Sequence, residues 1–279
     1  VSMAETKRAE IPNFTGGEAA NITQQGNPYV FRTSFTQSTA MPKLARYIKD
    51  NVKAKSVAMI WVNNDFGKGG RDSMTKALEA QGIKVAADIS TDPGQVDFSA
   101  AALKAKQSNA DALFVYTNEE ESARALRELK KQGYDKPIIG ETTLTGQKVI
   151  ELAGDAANGA VAHVGLTVDA PQPQIKVFDE KFQKEYNYKS DHNGMKGYSR
   201  RYGATAFNQK DGQSARNAFQ RPIAERAGRS VAVLSRDQHA GGDGHDEGGN
   251  SPHIAIRRYQ MICDDARRCR ASFPQSGLP

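Results

Sequence analysis

The sequence predicts an α/β fold in which helices cover both faces of a parallel sheet, and three observations support this. Short apolar segments such as Ser56–Val62 alternate with longer segments whose apolar residues recur at helical spacing. The alternation continues without a break from Lys55 to Leu166. The helical segments hold about a dozen residues, the length that connects parallel strands. Such sheets bind ligands beyond the carboxyl ends of their strands, so candidate site residues should follow predicted strands.

Each predicted element has a local reason. Residues 56–62 (SVAMIWV) form a β-rich apolar run, and residues 65–81 carry Met74, Ala77 and Leu78 at helical spacing before Gly82. The helix over residues 119–132 is closed by Gly133, as glycine often closes helices. Further strands are predicted over residues 84–89, 111–116, 137–140 and 159–166, and further helices over residues 98–108 and 146–153.

Composition divides the chain after Tyr198. Residues 1–198 hold 25 Lys and Arg against 24 Asp and Glu, whereas residues 199–279 hold 13 against 8 and contain a single lysine. Both cysteines, Cys263 and Cys269, lie in the second segment. We find no helix or strand period there, and pieces such as Val231–Leu234 are isolated. The segment therefore favours a disordered tail, or one translated out of frame.

Targeting signals are absent from the sequence as given. Residues 1–14 lack the apolar core of a signal peptide, and no window approaches the roughly 20 apolar residues of a membrane span. The first residues, VSMAETKRAEIPNFTGGEAANIT, look like the end of a βα unit. We therefore expect part of a domain to be missing before them.

Six segments, in order, resemble the type I periplasmic binding proteins that take up leucine, isoleucine and valine. Together they cover roughly residues 10–198. The segments are IPNFTGGEAANIT, NPYVFRTSFTQSTAMPKLARYI, NDFGKGGRDSMTKALEAQGIKV, the stretch from DPGQVDF to PIIGETT, ELAGDAANGAVAHVGLT, and FDEKFQKEYNYKSDHNGMKGYS.

The resemblance implies a fold of two α/β lobes, each with a doubly wound parallel sheet, that close on a ligand by hinge motion. Residues 1–36 would be a remnant of the first lobe, residues 37–165 the complete second lobe, and residues 166–198 the return to the first lobe. Residues 199–279 depart from the family pattern.

The resemblance also implies a ligand site. The segment Thr15, Gly16, Gly17 and Glu18, entering a helix over residues 18–23, would hold the carboxylate of an amino acid with backbone N–H groups; the alternative is an ordinary capped turn. Phe66 would supply an aromatic contact or simply pack at a helix start. Asn118 would contact ligand or cap the following helix.

The ammonium group of the ligand would pair with Glu141. The alignment is uncertain by one residue, so Thr142 is the alternative at this position. A lone glutamate at a strand end is also often just solvated.

The resemblance implies a non-enzymatic solute-binding protein of the periplasm that delivers an amino acid or small amide to an ABC permease, with no cofactor and no metal. No catalytic group is apparent: His163 lies in an apolar strand, where a satisfied core histidine is expected, and His192 lies on a turn. The run Glu119–Glu121 is most simply a helix N-terminus. We expect no nucleic-acid partner. Two alternatives stay open: a nucleic-acid-associated protein that acts through the arginine-rich tail, and a flavodoxin-like enzyme or regulator that uses the same kind of sheet.

Overall fold

The computed structural model describes residues 2–165, 168, 173–198, 230–236 and 256–263. The helices are α1 Ser2–Arg8, α2 Gln37–Tyr47, α3 Asp65–Ala80, α4 Ser99–Gln107, α5 Glu119–Lys131, α6 Gln147–Ala153, α7 Pro173–Tyr186 and α8 over residues 192–198. The strands are β1 Asn13–Thr15, β2 Val30–Arg32, β3 Ser56–Val62, β4 Lys84–Thr91, β5 Ala112–Tyr116, β6 Ile138–Gly140, β7 Val161–Val164, β8 Ser230–Arg236 and β9 Ile256–Cys263. Every strand and helix predicted between residues 56 and 166 is confirmed, with ends that differ by at most a few residues.

Two sheets organise the described residues. The large sheet has the strand order β4-β3-β5-β6-β7-β8-β9, and the pairs from β4 to β7 are all parallel. The small sheet pairs β1 with β2, also in parallel. The predicted parallel α/β architecture is therefore confirmed. Among the described helices, none is long and apolar enough to cross a membrane.

Side-chain alternation along the central strands builds a core on each face of the large sheet. Ala58 and Ile60 of β3 pack on one face against α4 and α5. Met59 and Trp61 of the same strand pack on the other face against α2 and α3. Because successive side chains point to opposite faces, a strand buried on both sides must be apolar throughout, as SVAMIWV is.

Two glycines let α3 approach the sheet closely. A Cβ atom on Gly67 would lie 1.7 Å from the carbonyl oxygen of Val62, and one on Gly70 would lie 2.2 Å from the Tyr116 ring. The side chain of Asn64 caps the helix by accepting the Gly67 N–H at 2.9 Å. The glycine-rich GKGG sequence therefore serves helix–sheet packing.

The helix predicted over residues 18–23 was wrong: the structure has a single 3₁₀ turn there, Ala20–Thr23, too short to carry a useful dipole. In the tail, where the sequence shows no strand period, β8 pairs antiparallel with β7, and β9 pairs with β8. A disordered or out-of-frame tail stays a prediction. A short apolar segment that is isolated in sequence gains a hydrogen-bonded neighbour when it adds to an open sheet edge. The other tail residues, including Cys269, lie outside the described ranges.

Candidate ligand-binding site

A cavity of about 510 Å³ lies beyond the carboxyl ends of β3, β5 and β6. Three separate parts of the chain form its wall: the segment after β1, the turns after strands of the large sheet, and helix α8. The predicted ligand-binding residues that line it are Gly16, Gly17, Glu18, Phe66, Asn118 and Glu141. This is the edge at which parallel sheets bind ligands, so topology brings these distant residues together.

The hydroxyl groups of Thr15 and Thr142 are engaged away from the cavity wall. Thr15 Oγ1 accepts a hydrogen bond from Gly17 N–H at 3.0 Å. Thr142 Oγ1 donates to the carbonyl oxygen of His163 at 3.0 Å in the interior. Of the two alternatives that the sequence left open, Glu141 is the one whose side chain lines the cavity.

The segment after β1 is held by the chain that follows β2. The Ser34 hydroxyl donates to the Gly16 carbonyl oxygen at 2.9 Å, and the Gln37 N–H donates to the Glu18 carbonyl oxygen at 3.2 Å. Polar turns thus fix this segment without the helix that the sequence predicted.

Glu18 joins the segment after β1 to α8. The Glu18 side chain is buried, and its Oε1 accepts a hydrogen bond from Lys196 Nζ at 2.8 Å. Burial, reinforced by the nearby charge of Glu141, raises the pKa of Glu18 to about 8, although Lys196 acts in the opposite direction. The salt bridge links parts of the chain that are 178 residues apart.

Glu141 follows β6 and is also buried. Its Oε2 accepts hydrogen bonds from the Thr143 N–H, at 2.9 Å, and from the Thr143 hydroxyl. Burial opposes ionisation, yet His163, the Thr143 hydrogen bonds and the charge of Lys196 together keep the pKa of Glu141 below its usual value. Glu141 is therefore an oriented buried carboxylate, not the solvated strand-end glutamate that the sequence allowed.

Phe66 belongs to an aromatic floor beneath the cavity. Its ring stacks on Tyr116 with centroids 4.4 Å apart. Gln37 Nε2 lies 2.9 Å from both the Tyr116 hydroxyl oxygen and the Phe66 carbonyl oxygen, and donates to them. Phe66 packs on the core, as one alternative predicted, and also lines the cavity; its contact with a ligand stays a prediction.

Asn118 begins α5 and is tied to Glu121. The Asn118 N–H and Nδ2 both donate to Glu121 Oε2, at 3.0 and 2.9 Å. Glu121 Oε1 accepts the N–H of Gly94, which follows β4, at 2.6 Å. The run Glu119–Glu121 was predicted to be only a helix N-terminus. Its last carboxylate, that of Glu121, is buried and joins two turns of the cavity wall.

Helix α8 supplies residues that sequence reasoning missed. His192 was predicted on a turn, but it begins α8, is largely buried and lines the cavity with Asn193 and Lys196. Asp191 starts the helix, since its Oδ1 accepts the N–H groups of Asn193 and Gly194 at 2.8 and 3.1 Å. The aspartate before this short segment was the available sequence signal.

His163 lies on β7 and is fully buried, as the apolar strand predicts. The expectation that it would be satisfied was wrong, because neither ring nitrogen has a hydrogen-bond partner among the described residues. Burial, with the nearby charge of Lys196, lowers the pKa of His163 to about 4 despite the opposing Glu141 carboxylate, so the ring is neutral at pH 7.

The cavity wall presents both signs of charge. Its acidic residues are Glu18, Glu119, Glu120, Glu121 and Glu141, and its basic residues are Arg124, Lys148 and Lys196. Groups of both signs around one cavity suit a small zwitterion, because each charged end of the ligand can be paired with a group of opposite charge.

Comparison with known proteins places this geometry in context. A family model described as "Periplasmic binding protein" matches residues 3–202. A leucine-, isoleucine-, valine-, threonine- and alanine-binding protein from Pseudomonas aeruginosa is 28% identical over 144 residues, which is 52% of this chain and 39% of that protein. The chain thus spans about two fifths of the length of the curated relatives it matches.

Solved structures with low sequence identity share the fold. The branched-chain amino-acid substrate-binding protein LivJ from Streptococcus pneumoniae, in complex with isoleucine, superposes with a TM-score of 0.74 at 17% identity, covering 94% of this chain and 75% of that one. A solute-binding protein from Rhodopseudomonas palustris, in complex with 3,4-dihydroxybenzoic acid, gives a TM-score of 0.75 at 18% identity, covering 96% and 77%. The same fold therefore holds ligands of different chemistry.

Proposed function

The chain belongs to the periplasmic binding protein family, and we propose that it binds a small amino acid, of the branched-chain type, or a related small amide in the cavity described above. It would do so as the solute-binding component of an ABC uptake system. In that role it works in the periplasm, as a binder and not an enzyme, and delivers its ligand to a membrane permease. The relatives and structures named above bind amino acids or an aromatic acid, which supports a small organic acid as the ligand class.

The observation that carries this proposal is the oriented, buried carboxylate of Glu141 at the cavity wall. Such a carboxylate suits the ammonium group of an amino acid, because a charge-assisted hydrogen bond in a desolvated site is stronger than one in water. An aromatic acid carries no ammonium group and would bring its own negative charge near the Glu141 carboxylate, so the site favours the amino acid.

The carboxylate of the ligand would lie near the segment after β1. Gly17 N–H is already bound to Thr15 Oγ1, so the backbone N–H groups of Gly16 and Glu18 are the candidate donors. Glycine at positions 16 and 17 allows close approach of the backbone to an anion. Phe66 and the Asn118 side chain would then contact the rest of the ligand.

The test is isothermal titration calorimetry of the full chain with leucine, isoleucine and valine, and with benzoate as the aromatic alternative. We expect saturable one-to-one binding of an amino acid. In Glu141→Gln, which keeps the shape and removes the charge, the affinity should fall about 10- to 100-fold, the loss typical of a charged hydrogen bond.

The matched control is Glu79→Gln, since Glu79 is exposed near the end of α3, away from the cavity. It should bind like the unaltered chain. Binding of benzoate alone, or amino-acid binding that Glu141→Gln leaves unchanged, would contradict the proposed site.

A further inference from the structure

Three side chains that are far apart in sequence converge behind the cavity. Glu18 follows β1, Glu141 follows β6 and His163 lies on β7, and their donor atoms all lie within 4.8 Å of one another. All three are buried, with 5%, 3% and 0% of their surfaces exposed. The sequence predicted no metal site here because the spacing of these residues along the chain shows no ligand motif.

The cluster contains polar atoms that lack partners. Within the part of the chain that the structure describes, neither nitrogen of the His163 ring has a hydrogen-bond partner, and Glu18 Oε2 has none. Leaving a buried polar atom unpaired costs about 1–3 kcal/mol, so such atoms usually mark an absent ligand or ion. An imidazole nitrogen that donates no hydrogen bond offers a lone pair of the kind that binds metals.

The surrounding contacts orient the carboxylates. Lys196 binds Glu18 through Oε1, and Thr143 binds Glu141 through Oε2. One oxygen of each carboxylate is therefore fixed from outside, as outer-shell partners fix metal ligands, and the other oxygen can turn toward a shared ion. Lys196 also offsets part of the negative charge of the cluster.

We propose that Glu18, Glu141 and His163 form a binding site for one divalent transition-metal ion such as Zn²⁺. One imidazole nitrogen and two carboxylate oxygens are a ligand set that zinc accepts, and zinc sites with three protein ligands keep a further position open. Glu18 and Glu141 also line the cavity, so the site borders it. The metal site shares Glu141 with the amino-acid site proposed above, so the ion and the ammonium group of a ligand would compete for that carboxylate, and zinc is therefore tested without amino acid.

The experiment is a titration of the chelator-treated full chain with Zn²⁺ alone, followed by competition with a chromogenic chelator. The chain in which both cysteines are serine serves as the reference, so that tail thiols cannot contribute. We expect His163→Gln and Glu18→Gln each to lose one equivalent of bound zinc, or to weaken that equivalent at least 10-fold. Glu79→Gln, exposed near the end of α3 and outside the cavity lining, is the control and should keep it.

Substitution of a buried histidine can disturb folding, so each variant is first compared with the reference by circular dichroism and thermal melting. The visible spectrum of bound Co²⁺ gives a second readout that reports on the ligands. The expected spectrum is that of a nitrogen and oxygen site, and it should change in Glu18→Gln, whose carboxylate borders the cavity. Equal zinc binding in the reference and in both cluster variants, or no zinc bound by a folded reference, would overturn the proposal. Zinc binding without any amino-acid binding would support the metal site and contradict the proposed function.

Discussion

Substitution of Gly70 by alanine should destabilise the protein, because the added methyl group would clash with the Tyr116 ring beneath the cavity. A Cβ atom there would lie 2.2 Å from Cε1 and 2.4 Å from Cζ of the Tyr116 ring. Because carbon atoms settle near 3.5–4 Å, the ring or the helix has to move by about 1 Å. Tyr116 is 1% exposed and in contact with Phe66, so there is no free space to receive it.

The magnitude follows from what that movement disturbs. Overpacking of a filled core costs about 1–3 kcal/mol. The Gln37–Tyr116 hydrogen bond and the Phe66–Tyr116 stack contribute about 1 kcal/mol each. Alanine in place of glycine returns up to about 1 kcal/mol of helix propensity. We therefore expect a net loss of about 2–4 kcal/mol in the free energy of unfolding.

The assay is urea unfolding followed by circular dichroism. Gly197→Ala is the matched control, since Gly197 also lies in a helix but a Cβ atom there meets nothing within 4 Å. That variant should be as stable as the unaltered chain or slightly more stable. A Gly70→Ala chain that unfolds within 0.5 kcal/mol of the unaltered chain would refute the close packing of α3 on β5.

Three further outcomes are expected. Leu126→Ala should lower the free energy of unfolding by about 2–5 kcal/mol in urea, because Leu126 is fully buried and its removal leaves a cavity; a loss under 1 kcal/mol would contradict its core position. Tyr116→Phe should cost about 1 kcal/mol in the same assay through the lost Gln37 bond, and no loss would mean that this bond adds nothing. Asp111→Asn should destabilise the chain at pH 7. Hydrogen bonds from Lys55 and Ser56 lower the pKa of Asp111, so its contribution is present above the unfolded pKa and is lost as pH falls through the folded one. The difference from the unaltered chain should therefore shrink in thermal melts below about pH 4, and a constant difference would contradict this.

Much of the fold could be predicted because the central strands are buried on both faces. Segments such as Ser56–Val62 must then be apolar throughout. Successive parallel strands must also be connected by helices long enough to run back along the sheet. The tail strands were not predictable in the same way. Their short apolar segments carry no period of their own, and their partner is a sheet edge that the local sequence does not specify.

The candidate site was predictable where it follows strands, and hidden where it depends on contacts between distant segments. Phe66, Asn118 and Glu141 were predicted from the family resemblance, and they lie at one cavity because parallel strands end at a common edge. Lys196 could not, because its role depends on a salt bridge to Glu18 across most of the chain. The sequence also could not predict that the ring nitrogens of His163 lack hydrogen-bond partners among the described residues. An apolar strand does not indicate whether a buried histidine is hydrogen-bonded.

The measurement that tests the central claim most directly is hydrogen–deuterium exchange of the full chain with and without a saturating branched-chain amino acid. We predict slower exchange in four segments: residues 16–18, the turns at residues 118–121 and 141–143, and residues 192–196 of α8. Those segments together form the cavity wall. Protection elsewhere, or no protection in a folded chain, would contradict the claim that this cavity binds the ligand.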